Sequence, residues 1–314
     1  MRLPAGRWGL AVSGGSDSMA LLHLAHAHAG LELHAIHLDH QTRQGQSTFD
    51  AEFVRSICEQ MNIPLTLRRR SDLEPLAENL PANTQARFRE LRLMLYRQAV
   101  SEHHLQGVLQ AHHADDQAET ILMRLIRGTG IEGLGGIPAD SRIGALRILR
   151  PLLQARKSDL FRYLAQHQLA WREDASNSST KYHRNQVRQL LSRHADLAPA
   201  LLNVQERFSA LLMELDTLSP VLGDRVPFAA LAKLHPLVQL HVLRRWAIAQ
   251  GANASDLTLE LIKNVRLMFE DMANGPSVSL PGGIEIRRQS GALFTRRSAP
   301  VGHRLGARRP ADPF

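Results

Sequence analysis

The chain has 314 residues, 44% of them hydrophobic and 22% charged, with a formal charge of +8 and a single cysteine. That length favours two domains, and a mean hydropathy of -0.22 fits a folded, soluble chain rather than a disordered one. One thiol, Cys58, excludes an intrachain disulfide, a zinc knuckle, a Cys-x-x-Cys redox pair and a four-cysteine iron–sulfur site.

The longest apolar runs, such as 19–22 and 198–202, fall far short of the roughly 18 to 20 residues of a membrane span. Glycines and a serine interrupt the first fifteen residues too early for a signal peptide, so a cytoplasmic location is expected. Only Lys157, Lys181, Lys233 and Lys263 are lysines; the other 34 basic residues are arginines. Guanidinium groups suit bidentate contact with phosphate, which points to a polyanionic partner, although a genome-wide bias toward arginine codons gives the same count.

In chain order, residues 8–12 read as a strand, followed by a glycine turn at Gly14 and Gly15 and a helix beginning MALLHLAHAH. A second strand is expected over 33–38, a helix over 47–61, a third strand over 64–68 and a long arginine-rich helix over 82–102. A fourth strand over 107–110 runs into HHADDQ, and Ala118, Ile121, Leu122 and Leu125 share one face of a helix over 115–127. The next eleven residues, GTGIEGLGGIP, contain five glycines and read as a mobile loop without regular structure. A fifth strand near 147–149 precedes a helix over 158–167. Such alternation predicts an α/β fold with a parallel sheet. Beyond residue 195 the pattern changes to Leu- and Ala-rich helical segments, ending in a hairpin around Pro281-Gly282-Gly283. The expected division is a nucleotide-binding domain over 1–195, a smaller, mainly helical domain over 196–300, and a disordered basic tail over 301–314.

Two stretches carry chemistry. After the first strand stands Ser13-Gly14-Gly15-Ser16-Asp17-Ser18, directly before a helix. A helix N-terminus offers free N–H groups and the positive end of the macrodipole, and small residues let an anion approach them. Asp17 fits an anion site when a divalent cation bridges it to phosphate. The loop is neither a Walker loop, since no lysine follows a glycine, nor the Gly-x-Gly-x-x-Gly dinucleotide fingerprint. It resembles the Ser-Gly-Gly-x-Asp-Ser loop of the ATP pyrophosphatases, which cleave ATP to AMP and pyrophosphate. The second stretch, His112-His113-Ala114-Asp115-Asp116-Gln117-Ala118-Glu119-Thr120, puts Asp116 and Glu119 three apart on one helical face, where two carboxylates could hold an ammonium group or magnesium.

Together the two stretches resemble the tRNA(Ile)-lysidine synthetase family, in its short form without a third domain. Arg127-Gly128-Thr129-Gly130, Leu149-Arg150-Pro151-Leu152-Leu153 and the run 171–188, with Glu173, Asp174, Ser176, Asn177, Tyr182, Arg184, Asn185 and Arg188, follow the family pattern; so do Pro281-Gly282-Gly283, Glu285, Arg287 and Arg288. On the long helix the family's Ala-Arg-x-x-Arg-Tyr keeps its arginines as Arg89 and Arg92 but has Phe88 and Leu93 in place of alanine and tyrosine; a register using Arg87 is the alternative. Arg87 and Arg97 themselves read as a solvated basic face.

The resemblance implies an AMP-forming carbon–nitrogen ligase of the PP-loop type that joins free lysine to C2 of the wobble cytidine of a tRNA(Ile) with a CAU anticodon. ATP and Mg2+ are implied, the loop Ser13–Ser18 gripping the phosphates and Asp17 the metal. Asp116 and Glu119 would bind lysine, and His112 would hold the adenylated base or relay a proton. Arg89 or Arg92 would meet phosphate or developing negative charge, and Arg184, Arg188, Arg287 and Arg288 would meet tRNA or ATP phosphate. Thiolating relatives depend on cysteines this chain lacks. No membrane or obligate protein partner is implied, and a homodimer stays open. The rival readings are another adenylating tRNA modifier and a non-catalytic adenosine-nucleotide-binding module.

Overall fold

The computed structural model describes residues 3–42, 46–172, 183–253, 256–270 and 277–297. By compactness the chain forms two units. The first holds the residues up to Ile126 together with Gly135–Glu206, and the second holds Arg127–Leu134 together with the residues from Arg207 onward. The units therefore part inside a helix, beyond the expected 195/196 position, and the glycine-rich segment is divided, its residues up to Leu134 going with the second unit and those from Gly135 with the first.

The first unit is built on a six-stranded sheet in the order β3-β2-β1-β4-β6-β5. Its strands are β1 (Gly6–Ala11), β2 (Leu31–Asp39), β3 (Leu65–Arg69), β4 (Val108–Leu109), β5 (Asp140–Ile143) and β6 (Leu146–Leu149). All neighbours are parallel except β5 with β6. The helices are α1 (Ser16–His26), α2 (Gln46–Gln60), α3 (Arg70–Leu73), followed by a 3-10 turn, α4 (Thr84–Glu102), α5 (Ala114–Ile126), α7 (Lys157–Gln166) and α8 (His183–Arg193). Alternation along the strands gives the sheet two apolar faces. Trp8, Leu10 and Val12 pack with Leu22, Val54, Cys58 and Leu160 of α1, α2 and α7. Ile36, Leu38, Val108 and Ile148 pack with Leu91, Leu95 and Tyr96 of α4. Helices thus cover both faces, and the strand order reverses direction between β1 and β4. In open parallel sheets ligands bind outside the carboxyl ends of the strands at such a reversal.

The second unit contains α6 (Ile131–Leu134) and, on a four-stranded antiparallel sheet in the order β7-β10-β9-β8, the helices α10 (Phe228–Ala232), α11 (Pro236–Ala249) and α12 (Leu259–Glu270). Its strands are β7 (Arg225–Pro227), β8 (Ser277–Leu280), β9 (Ile284–Gln289) and β10 (Ala292–Arg297). Helix α9 (Leu197–Leu218) runs through the boundary. Leu243, Trp246, Ile262 and Met268 meet Ile284, Ile286 and Leu293 in its core.

The smaller domain is mainly helical, and its expected hairpin β8–β9 is extended by β10 and β7 into a four-stranded sheet. One expectation needs correcting. The glycine-rich stretch is not wholly irregular: α6 forms in it, and Ile131 packs against the second core. Gly282 turns the β8–β9 hairpin at φ +93°, where an added Cβ would lie 2.7 Å from the Gly251 carbonyl oxygen, so only glycine fits. No helix among the described residues is long and apolar enough to cross a membrane. The tail 301–314 and Glu173, Asp174, Ser176, Asn177 and Tyr182 lie outside the described residues.

Candidate active site

β1 ends at Ala11, and the chain turns through Ser13–Gly15 into α1. Gly14 sits at φ +86° with Phe53 and Val54 3.5 Å from where a Cβ would stand, so a side chain there would be strained. The serines close the loop on itself. Ser18 Oγ donates to the Gly15 carbonyl at 3.0 Å and accepts from the Ser13 N–H at 3.1 Å. Gly15 caps α1 without a side-chain hydrogen bond, so no side chain competes for the first-turn N–H groups of the helix.

Asp17, in that first turn, faces His113 Nε2 at 3.5 Å and Lys157 Nζ at 3.7 Å. Burial pushes its carboxyl up, but the His113 hydrogen bond and charge, with Lys157, outweigh it and hold Asp17 below the usual carboxylate range. His113 is 2% exposed, and its Nε2 also lies 3.5 Å from Asp116 Oδ2. Burial lowers its basicity, yet the Asp17 hydrogen bond and the charges of Asp116, Asp17 and Asp115 raise it above the ordinary histidine value. The second histidine of the motif thus ties the phosphate loop to α5.

The rest of the motif divides its labour. Asp115 accepts from Arg156 Nη2 and from the Lys157 N–H, both at 2.7 Å, which anchors the start of α7. Gln117 pairs both ways with the Ile137 backbone, at 2.8 and 2.6 Å. His112 lines the cavity and is held by Arg150, whose Nε donates to its Nδ1 at 3.3 Å. Arg150 is fixed in turn by the Pro138 carbonyl at 2.8 Å and Ser141 Oγ at 2.9 Å. Burial first, then the Arg150 and Arg184 charges against that of Asp116, push His112 down to about 4. It is neutral at pH 7, with the proton on Nε2 because Nδ1 accepts.

Asp116 and Glu119 do share a face of α5, and both are buried. They are joined to Arg184 and Arg188, one turn apart on α8. Arg184 Nη2 meets Asp116 Oδ1 at 2.7 Å, Arg184 Nε meets Glu119 Oε2 at 2.7 Å, and Arg188 Nε meets Glu119 Oε1 at 2.6 Å. Burial opposes the Arg184 charge, but Glu119 and Asp116 raise its pKa. The residues expected to hold lysine and those expected to hold phosphate therefore hold each other in this structure.

One cavity of about 1110 Å³ opens at the carboxyl edge of the sheet. It takes in the phosphate loop, His37, Arg92, His112, Asp116 and Lys157. Arg89 is exposed on α4 outside that lining, and its charge acts on Arg150. In the second unit Arg287 pairs with Glu285 at 2.9 Å, and Arg288 Nη1 donates to the Met268 carbonyl at 2.8 Å. Sequence reasoning passed over Lys157 and His37 and the parts played by Arg150 and His113. Lys157 carried a signal, being one of four lysines in an arginine-rich chain. Among the described residues no group of three or more His, Cys, Asp or Glu could hold a metal ion. Cys58 is 1% exposed, and burial pushes its thiol up to about 11.

A family model described as a PP-loop domain matches residues 2–195. The chain belongs to the PP-loop family. Its sheet, loop and cavity are those of an ATP-binding PP-loop domain, and a second model, the TilS substrate binding domain, matches residues 227–294. The tRNA(Ile)-lysidine synthase of Symbiobacterium thermophilum is 39% identical over 210 residues, which is 65% of this chain and 41% of that protein. The bifunctional protein TilS/HprT of Listeria monocytogenes is 30% identical over 315 residues, covering 93% and 48%. The tRNA(Ile)-lysidine synthase of Pseudomonas fluorescens is 32% identical over 267 residues, covering 78% and 58%. The PP-loop chain thus spans between 41% and 58% of the length of these three relatives. Among solved structures, the U34-tRNA thiolase NcsA from Methanococcus maripaludis superposes with a TM-score of 0.53 at 18% identity, covering 65% of this chain and 72% of that one. That likeness is one of fold.

Proposed function

We propose that the chain is an AMP-forming ligase that joins free lysine to C2 of the wobble cytidine in a tRNA(Ile) with a CAU anticodon. The observation that carries this reading is the meeting of the loop Ser13–Ser18 and Asp116 in one crevice at the carboxyl ends of β1 and β4, with Glu119 joined to Asp116 through Arg184. The C2 carbonyl is a poor electrophile. Cytidine O2 attacks the α-phosphorus of ATP, the bond to pyrophosphate breaks, and O2 becomes part of a leaving group. The amine of lysine then attacks C2, the C2–O2 bond breaks, and AMP departs with O2.

The loop binds the pyrophosphate portion through N–H groups and serine hydroxyls, with Lys157 beside it. Asp17 is ionised and faces the loop, which fits magnesium held by one carboxylate together with phosphates and water rather than by a protein cage. Magnesium bound there would neutralise charge developing on the phosphates. His112, neutral with its proton on Nε2, is suited to donate a hydrogen bond to the base. Arg92 supplies positive charge at the cavity wall. Lysine's ammonium takes Asp116 and Glu119 by displacing Arg184, which is then free for phosphate; with a reference pKa near 10.4, the amine must shed a proton before attack. The unpaired wobble base enters the pocket at small unstacking cost. Arg287, Arg288, Arg296 and Arg297 of the second unit offer tRNA a basic surface, so binding should weaken steeply with salt.

The test is AMP formation from ATP and magnesium with unmodified tRNA(Ile) bearing CAU, with and without radiolabelled lysine, against methionine tRNA with the same anticodon. The reading requires lysine to enter only the isoleucine tRNA, and Asp17→Ala to abolish it. AMP release without lysine incorporation would point to another adenylating tRNA modifier, and no turnover to a nucleotide-binding module.

A further inference from the structure

Alternation along β2 puts His37 on the same face as Ala35, toward α1 and α2, at the carboxyl end of the strand. It is 5% exposed and forms part of the cavity wall beside the phosphate loop. Its Nδ1 lies 2.8 Å from the carbonyl oxygen of Val12, the residue immediately before the loop. A carbonyl only accepts, so Nδ1 carries the proton. Burial, against the Val12 bond and the charges of Asp39 and Asp50, keeps the ring below the ordinary histidine value and therefore neutral at pH 7. Nε2 is then a bare lone pair, and it is buried without a hydrogen-bond partner. His112 in the same cavity has the opposite tautomer, so the two rings present an acceptor and a donor.

A buried acceptor of this kind needs a donor, and phosphate oxygens supply none at neutral pH. On ATP the donors are the 6-amino group of adenine and the ribose hydroxyls. Given the reading of this cavity as an ATP site, we propose that His37 is a specificity residue whose Nε2 accepts a hydrogen bond from the adenosine part of ATP. The loop then grips the phosphates while the Val12–His37 bond sets where the nucleoside must lie.

The test is calorimetric binding, with magnesium, of ATP, purine riboside triphosphate, 2′-deoxy-ATP and 3′-deoxy-ATP to the full chain and to His37→Asn. Asparagine keeps a donor for Val12 but is too short to place an acceptor at the Nε2 position. The wild type should bind one of the three analogues about tenfold more weakly than ATP, and that analogue names the donor. His37→Asn should bind ATP about tenfold more weakly and lose that discrimination, while inorganic triphosphate binds within twofold of wild type. His37→Gln, whose amide oxygen reaches the Nε2 position, should restore part of the preference. Equal wild-type affinity for all four nucleotides overturns the proposal even if His37→Asn fails to fold, as does discrimination that survives in His37→Asn. Binding of ATP without lysine transfer would sink the ligase reading and leave His37 standing; no binding of ATP would sink both.

Discussion

Two acidic sites follow β4 within twenty-five residues, and the protein holds them with different cations. On α5, Asp116 and Glu119 are held by Arg184 and Arg188. On α6, in the second unit, Glu132 is held by His241, with ring nitrogen and carboxylate 3.6 Å apart; His241 also meets Asp216 at 2.8 Å, and Arg245 meets Asp216 at 2.8 Å. A guanidinium does not titrate in the working range, so the first cluster can be opened only by exchanging one cation for another. An imidazole does titrate, so the second loosens with pH. The contrast separates a cluster that only another cation can open from one that pH can loosen.

The hardest way to break the comparison is to remove both arginines. Arg184→Ala/Arg188→Ala would strip both buried carboxylates of their guanidinium partners, leaving Asp116 to His113, and should cost about 3 kcal/mol of stability, read by urea unfolding. An unchanged midpoint would mean that water compensates the carboxylates. Removing only Arg184 should sharpen the exchange idea, because lysine then has less to displace. Arg184→Ala should bind free lysine about tenfold more tightly than wild type by calorimetry, even as turnover falls. Weaker binding would place lysine elsewhere.

For the second cluster pH is the probe. The Glu132 carboxylate, with Asp216 and against burial, raises the His241 pKa, so its stabilisation is full below the unfolded value near 6.5 and disappears as pH rises through the folded value. Burial raises Glu132, but His241 beside it and the Arg244 charge outweigh it; this contribution exists above its unfolded value near 4.3 and disappears as pH falls through the lower folded one. His241→Asn should therefore cost about 1 kcal/mol near pH 6, less than a dry ion pair because Asp216 is half exposed, and nearly nothing by pH 9. A pH-independent cost would show that shape, not charge, holds the segment. The smallest effect is expected at Arg288, whose bond to the Met268 carbonyl is part-buried: Arg288→Ala should cost about 0.5 kcal/mol, seen as a slight fall in Tm.

Much of the first unit was legible because its signals are local. Strands β1 to β4 and helices α1, α2, α4, α5 and α7 follow from apolar periodicity, and the phosphate loop from six consecutive residues. The antiparallel strand β5 was missed, since DSRI has neither a continuous apolar run nor β-branched enrichment and is recruited by pairing with β6. Helix α6 was missed for a similar reason: its glycines argue against a helix, and packing of Ile131 into the second core overrides them.

Within the site, the sequence by itself determined which chemical groups are present and that Asp116 and Glu119 share a face, because helical spacing is a property of neighbours. Only the tertiary structure decided what those carboxylates face, since their arginines lie 65 to 69 residues further along the chain. The same holds for the two adjacent motif histidines, which sequence cannot tell apart. The acids around His113 raise its pKa against burial, whereas His112 is kept neutral by burial and by Arg150, 38 residues away. The protonation state and tautomer of a ring depend on its solvation and on the partner of each nitrogen, and both are fixed only when distant segments pack together.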